Sequence, residues 1–396
     1  YVWDPTCFIF PAPFVDETDG FPDMHAVPDL SSFRVAGWTD GVAIVMCDTI
    51  RNDTHEPVEM DARRMLKRQL DRAAGMGFGV DAATELECHF FTDDWTPIYD
   101  DINCYSLYRG FEMEPFMLDI RESLRRTGIE VEATNVEYGP GQTEINLRYG
   151  SLMDMADHTV YFKYIVRLVA KRHGLNVTFM AKPFLQEAGN GMHVHQSLTR
   201  DGRNVFAERD EDSILGNSTM RRYLTGLLQH HKELQLVMTP TISGYKRLQD
   251  YSFSPTQVTW GLDHRLVGVR SIVGAGPANR LEARWAAADA NPYLVLAGVL
   301  GAGPASTATT TSCRRWRATL TPTHDGSAFP STSRVPSTTS TRRSPGRCSA
   351  TCSWTTSRSC SGARPRSSRS TPSPVTTSPS GSSAGTGRSC RWRVCC

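Results

Sequence analysis

The amino-acid sequence predicts an α+β fold, on three observations. Segments with apolar residues at helical spacing alternate with β-rich segments in which glutamate or histidine recurs at every second position. No GxGxxG turn or Walker loop occurs, so any nucleotide must be held in some other way. No apolar run is long enough to span a membrane, and Tyr293–Gly303 reads as a buried helix.

Residues 1–30, rich in Pro, Asp and Phe, carry no clear period, and Gly41–Asp48 reads as one strand. Met60–Gly79 has Met65, Leu66, Leu70, Ala73 and Ala74 at helical spacing, an Asp near its start and a Gly stop. It leads into a segment in which Glu85 and Glu87 alternate with apolar residues. Leu118–Ile129 is a second helix, and Glu130–Tyr149 reads as two strands around a Gly-Pro-Gly turn. Met155–Gly174 is a long amphipathic helix. The stretch "GNGMHVHQSL" (Gly189–Leu198) follows as a strand. The side-chain period of two puts His193, His195 and Ser197 on one face. Met220–Met238 is a further helix.

The 396 residues carry a net charge of +1, which argues against a nucleic-acid partner, but the balance hides a split. From Pro304 onward there are fourteen Arg, one Asp and no Lys or Glu, a charge of +13, so the first 303 residues carry −12. Seven of the 11 Cys lie in the same tail, without a CxxC pair. The body, with four Cys and no signal peptide, reads as a reduced cytoplasmic protein. The chain begins at Tyr1 rather than Met, and its N-terminus is expected to be incomplete.

Residues 304–396 are dominated by Ser, Thr, Arg, Pro and Cys and have no period, a composition that predicts disorder. A sharper reading is a frameshifted translation of a GC-rich gene. Ala305–Cys313 can be encoded by codons that, displaced by one base, give Gly-Ile-Asp-Ser-Asn-Asn-Asn-Lys-Leu, an ordinary polar loop. An intact single frame in the DNA around codon 303 would refute this. Taken at face value, the tail could bind RNA or another anion. It offers Trp316, Trp354 and Trp392 but no repeat.

The chemistry gathers in the body. Glu85, Glu87, Glu137, Glu144 and Glu282 interrupt β-type segments, and His193 joins them. Five carboxylates and one imidazole suit a pair of hard divalent cations, which could clamp a phosphoryl transfer. Arg247, Arg265, Arg270, Arg280 and Arg284 occupy similarly ordered contexts, and guanidinium forks bind carboxylate or phosphate. A solvated sheet edge would show the same Glu-x-Glu spacing, so spacing alone leaves both readings open. Arg121, Arg125 and Arg126 read as the solvated face of one helix.

The motifs "TELECHFF", "NVEYGPGQTEI", "KPFLQEAGNGMHVHQSL", "GYKRL", "RLEARW" and "ADANPYL" occur in the order and approximate spacing of the glutamine synthetase family, which the chain resembles over about Gly20–Gly303. The resemblance implies ATP-dependent condensation of glutamate with ammonia or an amine through a γ-glutamyl phosphate, with two or three Mg²⁺ or Mn²⁺ ions. It implies a catalytic domain over residues 51–303, built on a curved, mostly antiparallel half-barrel sheet flanked by helices. Residues 1–50 would be the remnant of an N-terminal β-grasp domain. Glu87, Glu137 and Glu144 resemble the ligands of the metal on the glutamate side, and Glu85, His193 and Glu282 those of the metal that bridges the ATP phosphates. Glu132, Tyr149, His195 and Ser197 resemble ATP contacts. Arg247 resembles the clamp on the substrate α-carboxylate, and Gly189 offers backbone beside it. Arg265, Arg270 and Arg280 resemble phosphate-side arginines, with Arg284 steadying the transferring group; Arg265 and Arg284 also face the glutamate.

The departures shape the expectation. Ammonia-using members carry a flap glutamate where this chain has Phe253, and the substitution resembles the γ-glutamyl-amine ligase branch. Ala188 stands where Asn or Ser is usual, and Asn190 where Ser is common. The family assembles as stacked hexameric rings in which the β-grasp domain completes a neighbour's site. The shortened N-terminal part and the altered tail therefore predict a chain that is poorly soluble or inactive. The bacterial enzyme's adenylylation loop would fall beyond the break.

Overall fold

A computed structural model describes residues 20, 22–208, 215–250, 252–274, 276–303 and 393–395. The period-free stretch before residue 20 lies outside them, as does the tail from 304 to 392.

A small antiparallel pair opens the fold, β1 (Met24–Pro28) with β4 (Cys47–Arg51); β2 (Arg34–Val35) and β3 (Val42–Ile44) form a second. Gly41–Asp48, expected as one strand, is thus divided, and β3 and β4 enter different sheets. A three-residue strand, Arg393–Cys395, pairs parallel with β3 in a tail whose composition predicted no order. Helix α1 (Ala62–Gly75) begins where Asp61 accepts hydrogen bonds from the Arg63 and Arg64 amides, and Gly77, at φ +79°, follows its end. Its Arg63 side chain is buried. It bonds both oxygens of Asp157 at 3.0 and 2.9 Å, and Asp29 and Asp48 at 2.8 Å each, tying the N-terminal strands to the body.

The long strand β5 (Gly79–Thr92) organises the rest. Val80, Ala82, Thr84, Leu86 and Cys88 are buried on one face, while Asp81, Ala83, Glu85 and Glu87 are half-buried on the other. Helix α2 (Leu107–Arg126) starts eleven residues before the expected Leu118, capped by Ser106 and running through Pro115. The apolar period that marks its second half becomes visible only where it packs: Leu107 and Phe111 in the first turns are exposed, whereas Ile120 and Leu124 are fully buried. A hairpin follows, β6 (Val131–Val136) and β7 (Gln142–Leu147), then the short β8 (Gly150–Ser151), α3 (Leu152–Arg172) and β9 (Leu175–Thr178). Strand β10 (Met192–Arg200) and β11 (Arg203–Asn204) precede α4 (Ser218–Gln229) and α5 (His231–Met238). Met220–Met238, expected as one helix, is these two: His230, at φ −96° and ψ 8°, is the C-cap of one and the N-cap of the next. The apolar period crosses the bend unbroken, so it did not betray the break. Last come α6 (Ile242–Arg247), β12 (Trp260–Leu262), β13 (Val269–Ile272), β14 (Arg280–Ala283) and α7 (Pro292–Ala302).

Ten strands form one mixed sheet in the order β12-β13-β14-β10-β5-β7-β6, with β11 on β10 and β8 and β9 on β5. Every pairing in it is antiparallel except β12 with β13. Helices α1 and α3 cover the apolar face of β5, with α2 and α7 packed on them. Leu86, Phe90, Ile120, Leu124, Phe162 and Ile165 are fully buried between these layers, each such side chain contributing about 1.5–3 kcal/mol. The opposite face of the sheet is left for polar side chains. No helix among the described residues is long and apolar enough to cross a membrane.

Candidate active site

Strand register brings the separated motifs together. His193 stands opposite Glu85 on β5, Glu144 opposite Glu87, and Glu282 opposite both His195 and Arg270. Because side chains alternate, all of these face the same side of the sheet. Glu137 follows the end of β6, its amide bonded to the Gln142 carbonyl at 2.9 Å.

Glu85 is the hub. Its Oε1 lies 2.8 Å from His195 Nε2 and its Oε2 3.3 Å from His193 Nδ1. His193 Nδ1 is also 3.7 Å from Glu282 Oε1, so the trio Glu85, His193 and Glu282 meets. Among the described residues two overlapping groups offer ligand atoms within 4.8 Å of one another: Glu85, His195 and Glu282, and Glu85, Glu144 and His193. His195, expected to face phosphate, therefore lies among the candidate ligand atoms as well. Arg280 Nε donates to His195 Nδ1 at 3.1 Å, which leaves the proton on Nε2, facing Glu85.

Charge is unevenly distributed along the row. Burial alone would raise Glu85, but hydrogen bonds from His193 and His195 hold its carboxyl well below the usual range. Glu282 is fully buried; against that burial, Arg284 and the two histidines hold it down at about 2. Arg270 Nη1 donates to its Oε2 at 2.9 Å, and Arg284 to its Oε1. Towards the other end, burial followed by the charges of Glu85 and Glu87 pushes Glu144 up to about 7. Burial followed by Glu87 and Glu144 pushes Glu137 up to about 8. Carboxylates crowded so closely that the nearby Arg265 and His193 offset only part of the rise are a donor set that a divalent cation fits.

A pH dependence follows. Both folded-state pKa values lie above the ordinary 4.5, so the metal-free fold binds protons more tightly than the unfolded chain. That stability is complete below about pH 4.5 and is lost as pH rises through 7 and 8. Metal-free protein is therefore expected to melt at a lower temperature at pH 8 than at pH 6, with Mn²⁺ raising the melt more at pH 8. Scanning calorimetry at both pH values checks it, and an Mn²⁺ effect no larger at pH 8 would contradict it.

The arginines divide. Arg247 is buried, and burial pushes it down to about 10. Its Nη1 donates to the Trp285 carbonyl at 3.2 Å. A Cβ at Gly189 would lie 3.1 Å from its Cγ, and one at Gly191 2.4 Å from its Nη2, so the glycines are what let the guanidinium approach the backbone. Arg265 is exposed between β12 and β13, close enough to counter part of the rise at Glu137. Ser197 stands opposite Asp81, two positions beyond His195. Glu132 and Tyr149 are exposed at the end of the β6–β7 hairpin remote from Glu137. The sequence-predicted residues thus spread along one face, from Ser197 and Tyr149 at one end to Glu137 and Gly189 at the other.

Some contributors escaped the sequence reading. Asn135 and Asn146 both donate to Glu144 Oε1, at 3.3 and 3.1 Å, and Asp263 accepts from Arg270 Nε at 2.9 Å. Asn146 shares a face of β7 with Glu144, two residues away, a spacing the sequence already carried; Asn135 and Asp263 become partners only once strands pair. The Tyr138 ring lies 5.2 Å from that of Phe253, itself at φ +59°. Its position beside Glu137 was the available signal.

A mixed sheet lines up carboxylates and imidazoles on its polar face beside buried arginines, donor types that suit cations and anions. Residues 59–306 match the family described as glutamine synthetase, catalytic domain, and the chain belongs to that family. It is 34% identical over 302 residues to a glutamate–isopropylamine ligase of a Pseudomonas species, covering 73% of this chain and 65% of that one. It is 36% identical over 296 residues to the gamma-glutamylethanolamide synthetase GlnA4 of Streptomyces coelicolor, covering 72% and 63%. It is 36% identical over 290 residues to a glutamine synthetase of Thermotoga maritima, covering 71% and 65%. The chain thus spans somewhat less than two thirds of these relatives' length. A solved GmaS–ADP complex superposes with a TM-score of 0.65 at 33% identity, over 71% of this chain and 66% of that one.

Proposed function

We propose that this chain carries the catalytic site of an ATP-dependent ligase joining L-glutamate to an organic amine through a γ-glutamyl phosphate. The observation that carries the reading is the single face on which Glu85, Glu87, Glu137, Glu144, His193 and Glu282 converge beside Arg247 and Arg284. Divalent cations, Mg²⁺ or Mn²⁺, would be held by those six side chains and would neutralise phosphate oxygens. Arg247 would fix the glutamate α-carboxylate against the Gly189 backbone, leaving the γ-carboxylate towards the acidic row. An oxygen of that carboxylate attacks the γ-phosphorus as ADP leaves. Arg265, Arg270, Arg280 and Arg284 absorb charge on the transferring oxygens, with Arg284 nearest Glu282. The amine nitrogen then displaces phosphate from the acyl carbon and gives up a proton. Glu132, Tyr149, His195 and Ser197 would form the nucleotide end.

The Phe253–Tyr138 ring contact supports an organic amine over ammonia, since it offers an apolar wall beside Glu137. Of the relatives above, one is named for an organic amine it ligates and another for the amide of one. The same reading assigns residues 51–303 to the catalytic domain on a half-barrel sheet and residues 1–50 to part of a β-grasp domain. It assigns the working form to the cytoplasm as stacked hexameric rings, and 304–396 to a frameshift.

ADP release measured with glutamate and ammonia, ethanolamine, putrescine or isopropylamine tests it. Organic amine is expected to be preferred, and Phe253→Glu to shift the ratio towards ammonia by about tenfold. A wild-type preference for ammonia would remove the flap argument. Absence of glutamate-dependent turnover, with a monomer on size exclusion, would favour a chain that keeps the ligands without assembling the site.

A further inference from the structure

The polar row on β5 continues past Glu87. Two positions on, His89 stands opposite Gln142, as Glu87 stands opposite Glu144. His89, Gln142 and Asn190 are all essentially inaccessible to solvent. Gln142 Oε1 accepts from the Gly139 amide at 2.8 Å, while its Nε2 donates to the Gly189 carbonyl at 3.0 Å and to Asn190 Oδ1 at 3.1 Å. Asn190 Nδ2 is committed to the Met180 carbonyl at 2.8 Å, which leaves Oδ1 to accept from His89 Nδ1, also at 2.8 Å. The His89 proton is therefore on Nδ1.

These three side chains come from distant parts of the chain and join two turns. One is the Gly139–Gly141 turn that follows Glu137. It sits directly on the network, since a Cβ at Gly139 would lie 2.7 Å from His89 Nε2 and 2.9 Å from Gln142 Oε1. The other is the Gly189–Gly191 stretch against which Arg247 packs. That stretch is pinned at its far end too, where the Gly191 amide donates to Glu87 Oε2 at 2.5 Å.

We infer that His89, Gln142 and Asn190 are positioning residues that lock the glutamate-side turn to the turn bearing Glu137, and so set glutamate affinity separately from the nucleotide end. The inference rests on the site reading proposed above. Its physical basis is that a buried network with one member removed leaves the others unsatisfied and loosens Gln142, whose Nε2 donates to the Gly189 carbonyl.

Calorimetric titration of L-glutamate into the full chain loaded with Mn²⁺ and ADP tests it in Asn190→Ala and His89→Phe. Each variant is expected to weaken glutamate binding by about tenfold or more, with ADP affinity unchanged to within about twofold. The double variant is expected to lose less than the two single losses combined. Unchanged glutamate affinity in both variants would overturn the inference, and so would a parallel fall in ADP affinity, which would mark a network that supports the whole sheet. A wild-type chain that binds Mn²⁺ and ADP but no glutamate would remove the site reading itself, and this inference with it.

Discussion

Glu85→Gln is expected to lower Mn²⁺ affinity by about 100-fold or more, the largest functional loss of any single change in the row. Glu85 belongs to both groups of converging ligand atoms, and no other carboxylate does. Glutamine keeps the size and an acceptor for His195 Nε2, now 2.8 Å away, but removes the charge that faces two imidazoles. Disturbing an outer-shell partner costs about 10–100-fold, and loss of a shared ligand exceeds that. Electron paramagnetic titration of Mn²⁺, with the unfolding transition as a control for folding, reads the effect. An affinity within about threefold of wild type, below even that outer-shell cost, would show that the acidic row is not a cation site.

The second large effect concerns stability. Arg63→Ala is expected to destabilise the fold by about 3–5 kcal/mol, because it leaves the buried Asp157 without its cation, whereas Lys67 still pairs with the part-exposed Asp29 and Asp48. The guanidinium is nearly inaccessible, as is Asp157, and it holds Asp29 and Asp48 as well. Tyr293 Oη also donates to Asp157 Oδ1, at 2.6 Å, so α1, α3 and α7 meet at this one carboxylate. Asp157→Asn should lose less, and the double variant less than the two losses combined. Urea unfolding measures all three; an Arg63→Ala loss below about 1 kcal/mol would place the cluster with ordinary surface pairs.

Much of the site was legible before any folding because β-strands write their faces in the sequence. Glu85 and Glu87, like His193 and His195, are two residues apart, and that spacing commits each pair to one side of a sheet. The motif order added the family, and Phe253 was visible as a departure. Helix breaks were less legible. Residues 220–238 keep one apolar period across the bend at His230, and α2 begins in turns that bury little, so periodicity had nothing to register there.

By itself the sequence determined which residue types are available, which of them share a strand face, and that an acidic body precedes a tail of foreign composition. Tertiary structure decided who meets whom. It set Glu144 opposite Glu87, turned His195 onto Glu85, brought Asn135 of β6 to Glu144, and seated the Gly139 turn on His89 and Gln142. The reason is physical: a side chain's face follows from a local two-residue period, whereas its neighbour across the ladder depends on the register of strands far apart in the chain, which no local pattern encodes.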